Sequence, residues 1–503
     1  MGLALLILLA LAGTVTMLVV TQHGPYVSPD AVSYVGTARG LAAGDGVTTP
    51  PGTPPVGHFA PLYPVTLAAL DVVGLDPVDG ARWLNALLLG ATVLVVGLVL
   101  RRATQQWWPG LVGGALVVLA TDALTYHASA LSDPMFVLLC ILALAALAEY
   151  LHHRRPLMLA AVTALTALVL LTRYVGIALV ATGLILLMLY GAGGRWRGAP
   201  QAGAFAIAAV VPVGAWVLWA RSAHGRGSEG EIVWHPFGGS DLQRGAENLV
   251  GWFVPDSLPW WLGIVMVAGA IALFVRAARS TRRDEEQKLD GVPGRLPVVC
   301  AVFAGAYVAV LLLDRLFIDA SALLDRRLLL PLHVVVIVGV LAMACREAIR
   351  GPIKAVAIGV LGLLFVFQIA EATTWVRDSV DDAGARRGGY TSSVWRQSPV
   401  VATVRTLPPE VPVYTNGPDA IWFLTGRATK ELPPEKDYLT GKPNPHYRAE
   451  LAEMTERVRA GQGRVVYFSV IKSRPYLPTV DELRQVMPLH EVSSDQIGTL
   501  YGG

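Results

Sequence analysis

Residues 23–34 read HGPYVSPDAVSY. They follow an unbroken apolar run, LALLILLALAGTVTMLVV at 3–20, which at 1.5 Å per residue is long enough to cross a hydrocarbon core of roughly 30 Å. No basic segment leads into that run and no small-x-small cleavage pattern follows it, so a retained first membrane helix is expected rather than a removed signal. The chain then places a carboxylate, Asp30, just past the membrane edge. Ser28 is a good N-cap, Pro29 suits the first helical position and Gly44 is a stop, so SPDAVSYVGTARGLAAGDG (28–46) predicts a helix. Ala31, Tyr34, Val35, Ala38, Leu41 and Ala42 fall on one face, as in a helix lying in the membrane interface. Asp30 in its first turn either complements the helix dipole or is a carboxylate placed at the surface for chemistry.

Composition enlarges this reading. Of 503 residues, 54% are hydrophobic and only 15% charged, with mean hydropathy +0.52. A soluble protein carries about a quarter charged residues. The apolar runs lie in 1–375, and 376–503 reads as ordinary globular sequence. A polytopic α-helical membrane domain (1–375) followed by a small α/β domain (376–503) is expected. About eleven spans are read, near 3–20, 82–100, 107–124, 132–151, 157–172, 176–192, 203–220, 259–277, 297–313, 328–345 and 353–370. The stretch 157–192 is too long for one span and is read as two, turning at TRYVG (172–176). Short loops rich in Lys and Arg, such as those with Arg101–Arg102, Arg154–Arg155 and 276–288, belong on the cytoplasmic side. That puts the N-terminus inside and the loop 21–81 and the C-terminal domain outside, in the cytoplasmic membrane. The net charge of +3, with no basic block, gives no reason to expect nucleic acid. Cys140, Cys300 and Cys345 lie in or beside apolar runs and form no metal motif.

Four charged residues stand out at the outer ends of these spans. Asp133 opens the fourth in LSDPMFVLLC (131–140), where acid then proline is also helix-cap chemistry. Arg173 sits at the TRYVG turn, and Arg326–Arg327 begin the tenth span. These arginines break the positive-inside rule. An arginine at headgroup depth either snorkels to water or meets an anion, and guanidinium is suited to bidentate phosphate contacts. His58, His224 and His235 lie in outer loops and read first as surface residues. With an acid they could hold a divalent metal, though no ligand spacing marks one.

The C-terminal stretch reads as helix, strand VPVYT (411–415), turn NGPD, helix AIWFLTG (420–426), an amphipathic helix from Tyr447 and a strand near 464–470. Asn416, Asp419 and Trp422 are read as turn, cap and core residues, with acceptor contact as the alternative. No phosphate-binding loop and no nucleophile elbow is present in the sequence.

The order of SPD (28–30), HFAPLYPVTLAAL (58–70), LSDPMFVLL (131–139), LLTRYVGIALV (170–180) and RRLLLPLHVVV (326–336), then an outer domain, resembles the GT-C glycosyltransferases. The likeness is to bacterial relatives of protein mannosyltransferases and lipid A aminoarabinose transferases. It implies a GT-C-like membrane domain, a polyprenyl-phosphate sugar donor, and a glycan, lipid or protein acceptor at the outer face. It also implies a catalytic base at Asp30, a catalytic, acceptor or metal role for Asp133, and donor-phosphate contacts from Arg173, Arg327 and Arg326. A divalent metal, if any, would draw on Asp133, His58 and His235. Three departures stand out: Asp30 is followed by Ala31 rather than a second acid, HFAP (58–61) stands in the region where the aminoarabinose transferases carry Glu-Lys, and TRYVG lacks a proline after the arginine. A competing reading is a lipid or sugar transporter using the same arginines for an anion.

Overall fold

The computed structural model describes residues 1–190, 198–224, 233–236, 238–252, 259–269, 271–272, 295–318, 325–345, 352–381 and 389–503. The first part of the chain is helical: α1 (Gly2–Val20), α2 (Pro29–Ala43), α3 (Leu62–Val72), α4 (Pro77–Thr104), α5 (Trp107–Leu119), α6 (Thr121–His127), α7 (Asp133–His153) and α8 (Pro156–Thr172). A 3₁₀ turn at Tyr174–Gly176 leads to α9 (Ile177–Tyr190) and α10 (Ala199–His224). Then come α11 (Gly239–Gly251), α12 (Trp260–Gly269), α13 (Leu296–Phe317), α14 (Arg326–Ala344) and α15 (Pro352–Asp381). Among the described residues, α1, α4, α7, α10, α13 and α14 are long and apolar enough to cross a bilayer. The pair α5 and α6 meets at a 63° bend and makes a seventh span if counted as one. The basic stretch 276–288 and part of the window 259–277 lie outside the described residues.

One apolar core unites the bundle, with Leu6, Met17, Leu89, Phe136, Phe303 and Tyr307 fully buried. On α1, Leu3, Leu8, Leu11 and Val15 face outward, the arrangement of a helix whose outer face meets hydrocarbon rather than water. Helices α4 and α5 approach backbone to backbone. A Cβ at Gly110 would lie 2.4 Å from the Gly97 carbonyl oxygen, so the contact needs glycine. At one end Arg102 pairs with Glu149, and Arg154 donates to the Tyr190 carbonyl, closing α4, α7 and α9 together.

At the other end stands the C-terminal region: α16 (Ser393–Arg396), α17 (Pro399–Thr406), β1 (Val413–Thr415), α18 (Pro418–Thr425), β2 (Lys430–Glu431), α19 (Tyr447–Arg459), β3 (Arg464–Phe468), α20 (Val480–Val486), β4 (His490–Ser494) and β5 (Gly498–Gly502). The sheet order is β2-β1-β3-β5-β4. Strand β1 is parallel to β2 and β3, whereas β5 runs antiparallel to β3 and β4. Asn416 exchanges hydrogen bonds with Phe468, donating to its carbonyl at 2.9 Å and accepting from its N–H at 2.8 Å. Asp419 is fully buried and accepts from Tyr390 at 2.8 Å and Arg474 at 2.7 Å. These two residues are joints within this region.

The segment after α1 fastens the two parts. Tyr26 donates its N–H to Ala128 and accepts from Ala130, while Val27 accepts from the Tyr390 N–H. The Thr391 hydroxyl donates to the Pro25 carbonyl at 2.6 Å. Residues 25–27 thus run between 128–130 and 389–391 like the middle of a short sheet. The sequence gives α2 one apolar face, but the structure buries Ala31 to Ala38 in succession. The bundle covers one side and the C-terminal region the other: a Cβ on Gly36 would meet Pro50, with Trp422 at 3.1 Å. Gly389 has φ +55°, and an added Cβ would sit 2.2 Å from the Val27 carbonyl oxygen. Gly389→Ala is therefore expected to lower the thermal midpoint of the detergent-purified protein. The left-handed backbone alone costs about 1–2 kcal/mol, and displacement of Val27 adds to it. A thermal unfolding scan checks this, and an unchanged midpoint contradicts the tie.

Candidate functional site

The ends of α2, α7, α8 and α14 meet beside this tie, and each brings one charged side chain. Ser28 accepts the Ala31 N–H at 3.4 Å, which starts α2 and sets Asp30 in its first turn. Asp133 begins α7, but its carboxylate does not cap the helix. Arg173 donates from Nη1 to its Oδ1, and Arg327 donates from Nε to its Oδ2 at 3.0 Å. The other arm of Arg327, Nη1, donates to Asp30 Oδ2 at 2.5 Å. Residues 30, 133, 173 and 327 therefore form one alternating chain, Asp30–Arg327–Asp133–Arg173. Arg173 ends α8 in extended backbone, where the helix breaks before the 3₁₀ turn. Arg327 is fixed in the first turn of α14, where Asp325 accepts the Leu328 N–H at 2.8 Å.

The two acids differ in access. Asp133 leaves 2% of its side chain exposed and Asp30 leaves 35%, so only Asp30 is reachable from solvent. Partial burial pushes the Asp30 carboxyl up. The charge and hydrogen bond of Arg327, helped by His58 and Arg173, outweigh that and hold it below the usual carboxylate range. Two guanidiniums and two carboxylates balance to neutrality, with both oxygens of Asp133 taken.

The other residues singled out in the sequence divide. Arg326 points away from Arg327's partners, with Nη1 3.8 Å from Asp122. His58 stands near Asp30, its ring edge-on to Phe59 at 4.6 Å. His235 lies elsewhere: its N–H donates to the Leu316 carbonyl and its carbonyl lies 3.5 Å from Arg315 Nη1. The side chain of His224 lies outside the described residues. Asp133, His58 and His235 are thus not gathered into a ligand set, and among the described residues no three His, Cys, Asp or Glu side chains cluster suitably for a metal. With Asp133 committed to two guanidiniums, these residues do not fit a metal here.

Contacts that carry no motif complete the site. The Tyr174 hydroxyl donates to the Gly57 carbonyl at 2.7 Å and receives the Trp216 indole N–H at 3.0 Å, tying the loop before α3 to the residue after Arg173. Tyr34 and Ser132 share a hydrogen bond at 3.1 Å. Beside them Tyr34, Phe59, Pro61, Val65 and Trp216 line an apolar groove open to solvent.

ArnT from Cupriavidus metallidurans, solved bound to undecaprenyl phosphate, matches with TM-score 0.57 and 14% identity, over 98% of this chain and 97% of that one. The fold is the GT-C fold. Apo ArnT gives the same TM-score at 15% identity over the same shares. The archaeal oligosaccharyltransferase AglB from Archaeoglobus fulgidus, in complex with an inhibitory peptide and a dolichol-phosphate, gives 0.50 at 10% identity, over 93% of this chain and 69% of its own. No protein-family model matches, and the search of curated proteins returned no match. The GT-C likeness extends over nearly the whole chain, membrane helices and C-terminal region together.

The Asp30–Arg327 pair has a pH signature. A carboxyl held below its unfolded value stabilises the fold at neutral pH, and that contribution is lost as the pH falls through the lowered value. Arg327→Met removes the opposing charge, so burial then dominates and the Asp30 carboxyl should titrate above its ordinary range. Infrared titration of the carboxyl band, compared with Arg327→Met/Asp30→Asn, checks this. An unmoved Asp30 band would show that Arg327 does not control it.

Proposed function

We propose that the chain is an inverting glycosyltransferase that moves a hexosyl or pentosyl unit from a polyprenyl-phosphate donor to an acceptor hydroxyl. The reaction is placed at the outer face of the cytoplasmic membrane, with the N-terminus inside and the C-terminal region outside. The acceptor is a glycan, a lipid or a protein. The observation that carries this reading is the convergence of one accessible carboxylate and two guanidiniums at one end of an apolar bundle with the GT-C fold. A polyprenyl tail cannot leave the bilayer, so the reactive bond of such a donor lies at the membrane surface, and on this reading the charged end of the bundle meets it there. The ArnT match, to a structure holding undecaprenyl phosphate, favours this donor class.

The step is a single displacement. The acceptor hydroxyl gives its proton to Asp30 as its oxygen bonds to the anomeric carbon. The bond from that carbon to the phosphate oxygen breaks, and the electron pair leaves on the polyprenyl phosphate. The leaving phosphate gains a negative charge, so Arg173 and Arg327 bind it more strongly as the reaction proceeds. In the structure both arginines are occupied by carboxylates. Donor phosphate draws Arg327 from Asp30, and Asp30 then loses the cation that keeps it a weak base. Its basicity rises when a donor is in place, which protects the site from idle proton transfer. The apolar groove beside Tyr34 supplies a surface for substrate hydrocarbon next to the reacting groups.

Asp30→Asn should lower transfer by roughly 10²–10⁴-fold, the usual worth of a positioned base, and leave donor binding nearly intact. Incubating the purified protein with a panel of radiolabelled polyprenyl-phosphate sugars, with product configuration read by NMR, tests both the base and inversion. Full activity in Asp30→Asn, or retention at the anomeric carbon, would overturn this mechanism.

A further inference from the structure

Asn85 stands about two turns into α4, inside an apolar run, and its side chain is completely buried. An amide in such a place is costly unless every polar atom has a partner. Its Nδ2 donates to the Ser129 carbonyl at 2.6 Å and the Leu131 carbonyl at 3.2 Å. Its Oδ1 accepts from the Tyr63 hydroxyl at 3.3 Å. Two carbonyls can only accept, so the amide has one consistent orientation. All three partners lie outside α4, and two of them lie in the five-residue loop between α6 and the residue that opens α7.

That loop ends at Asp133. It is gripped from three sides: by the backbone of Tyr26, by the Tyr34–Ser132 hydrogen bond and by Asn85. Asp133 in turn pairs with both Arg173 and Arg327, and Arg327 carries the chain on to Asp30. Asn85 belongs to none of the four charged side chains, yet its two hydrogen bonds tie the loop to α4.

We propose that Asn85 is a positioning residue for the phosphate clamp, setting Asp133 and through it the two arginines. The inference rests on the reading that Arg173 and Arg327 bind donor phosphate. Replacing the amide by a group without donors frees two carbonyls and lets the loop shift. A carboxylate there repels the same carbonyls, but a protonated carboxyl again offers one O–H donor.

The test uses the full-length protein in nanodiscs and measures affinity for undecaprenyl phosphate over a pH series in the wild type, Asn85→Leu, Asn85→Asp and Arg327→Met. Asn85→Leu is expected to bind about tenfold more weakly at every pH, the size of effect that follows from freeing buried acceptors. Asn85→Asp should be comparably weak at neutral pH and regain affinity on acidification, a pH profile that Asn85→Leu lacks. General loosening of the fold would weaken both variants alike without that recovery. Wild-type affinity in a folded Asn85→Leu overturns the inference. If that variant does not fold, a flat pH profile at wild-type affinity in Asn85→Asp does so instead. Arg327→Met separates the two levels. Should it bind normally, the phosphate-clamp reading itself fails. Should it lose affinity while both Asn85 variants keep theirs, only the positioning role fails.

Discussion

A buried carboxylate between two guanidiniums organises this end of the molecule. Asp133 is nearly inaccessible, and such a group is destabilising by several kcal/mol unless charges of opposite sign reach it. Arg173 and Arg327 do so from two other helices, one oxygen each. The requirement is mutual, because two arginines close together repel unless an acid stands between them. Three helix ends, from α7, α8 and α14, are thereby held at one depth, and Asp30 on α2 joins through the second arm of Arg327. Removing one member would leave an uncompensated charge, so the arrangement is specific as well as electrically neutral.

Around this core of charge the protein builds a floor and a roof. The floor is the bundle, where close approaches such as Gly110 on Gly97 let α4 and α5 pack without bulky side chains between them. The roof is the C-terminal region, which contributes no member of the charged chain. It encloses α2, which carries Asp30, and keeps that helix from moving as a loose interfacial segment. Tyr390 reaches from the connecting segment to Asp419, and Arg474 completes that buried joint. Placement of α2, and of Asp30 with it, therefore depends on a part of the chain that adds no member to the charged chain.

Local chemistry was readable from the sequence where it is decided locally. Ser28, Pro29 and Gly44 mark the ends of α2 because cap and stop residues act within a few positions. The break at Arg173 followed from length alone, since a single helix over 157–192 would overshoot a bilayer. Asp30, Asp133, Arg173 and Arg327 drew notice because charges are expensive at membrane depth. Other features leave no such trace. Asp133 followed by Pro134 looks like a cap, and only the fold brings two arginines to it. Nothing in periodicity tells Arg327 from Arg326, yet one faces the acids and the other Asp122. The bend between α5 and α6 falls in a run read as one span, and Asn85, Tyr174 and Trp216 gain their meaning only from partners distant in sequence.

The strip at residues 25–27 has a bearing on biosynthesis. It is made long before residues 389–391, on which one of its two edges waits. Arg327, which bridges both acids, also arrives late. Until then Asp30 lies in an unfinished crevice, and the helices already inserted hold a carboxylate without its cation. Assembly thus proceeds with this end open, and the tie closes only once residues 389–391 are made, so a chain cut short before them lacks one edge of the strip.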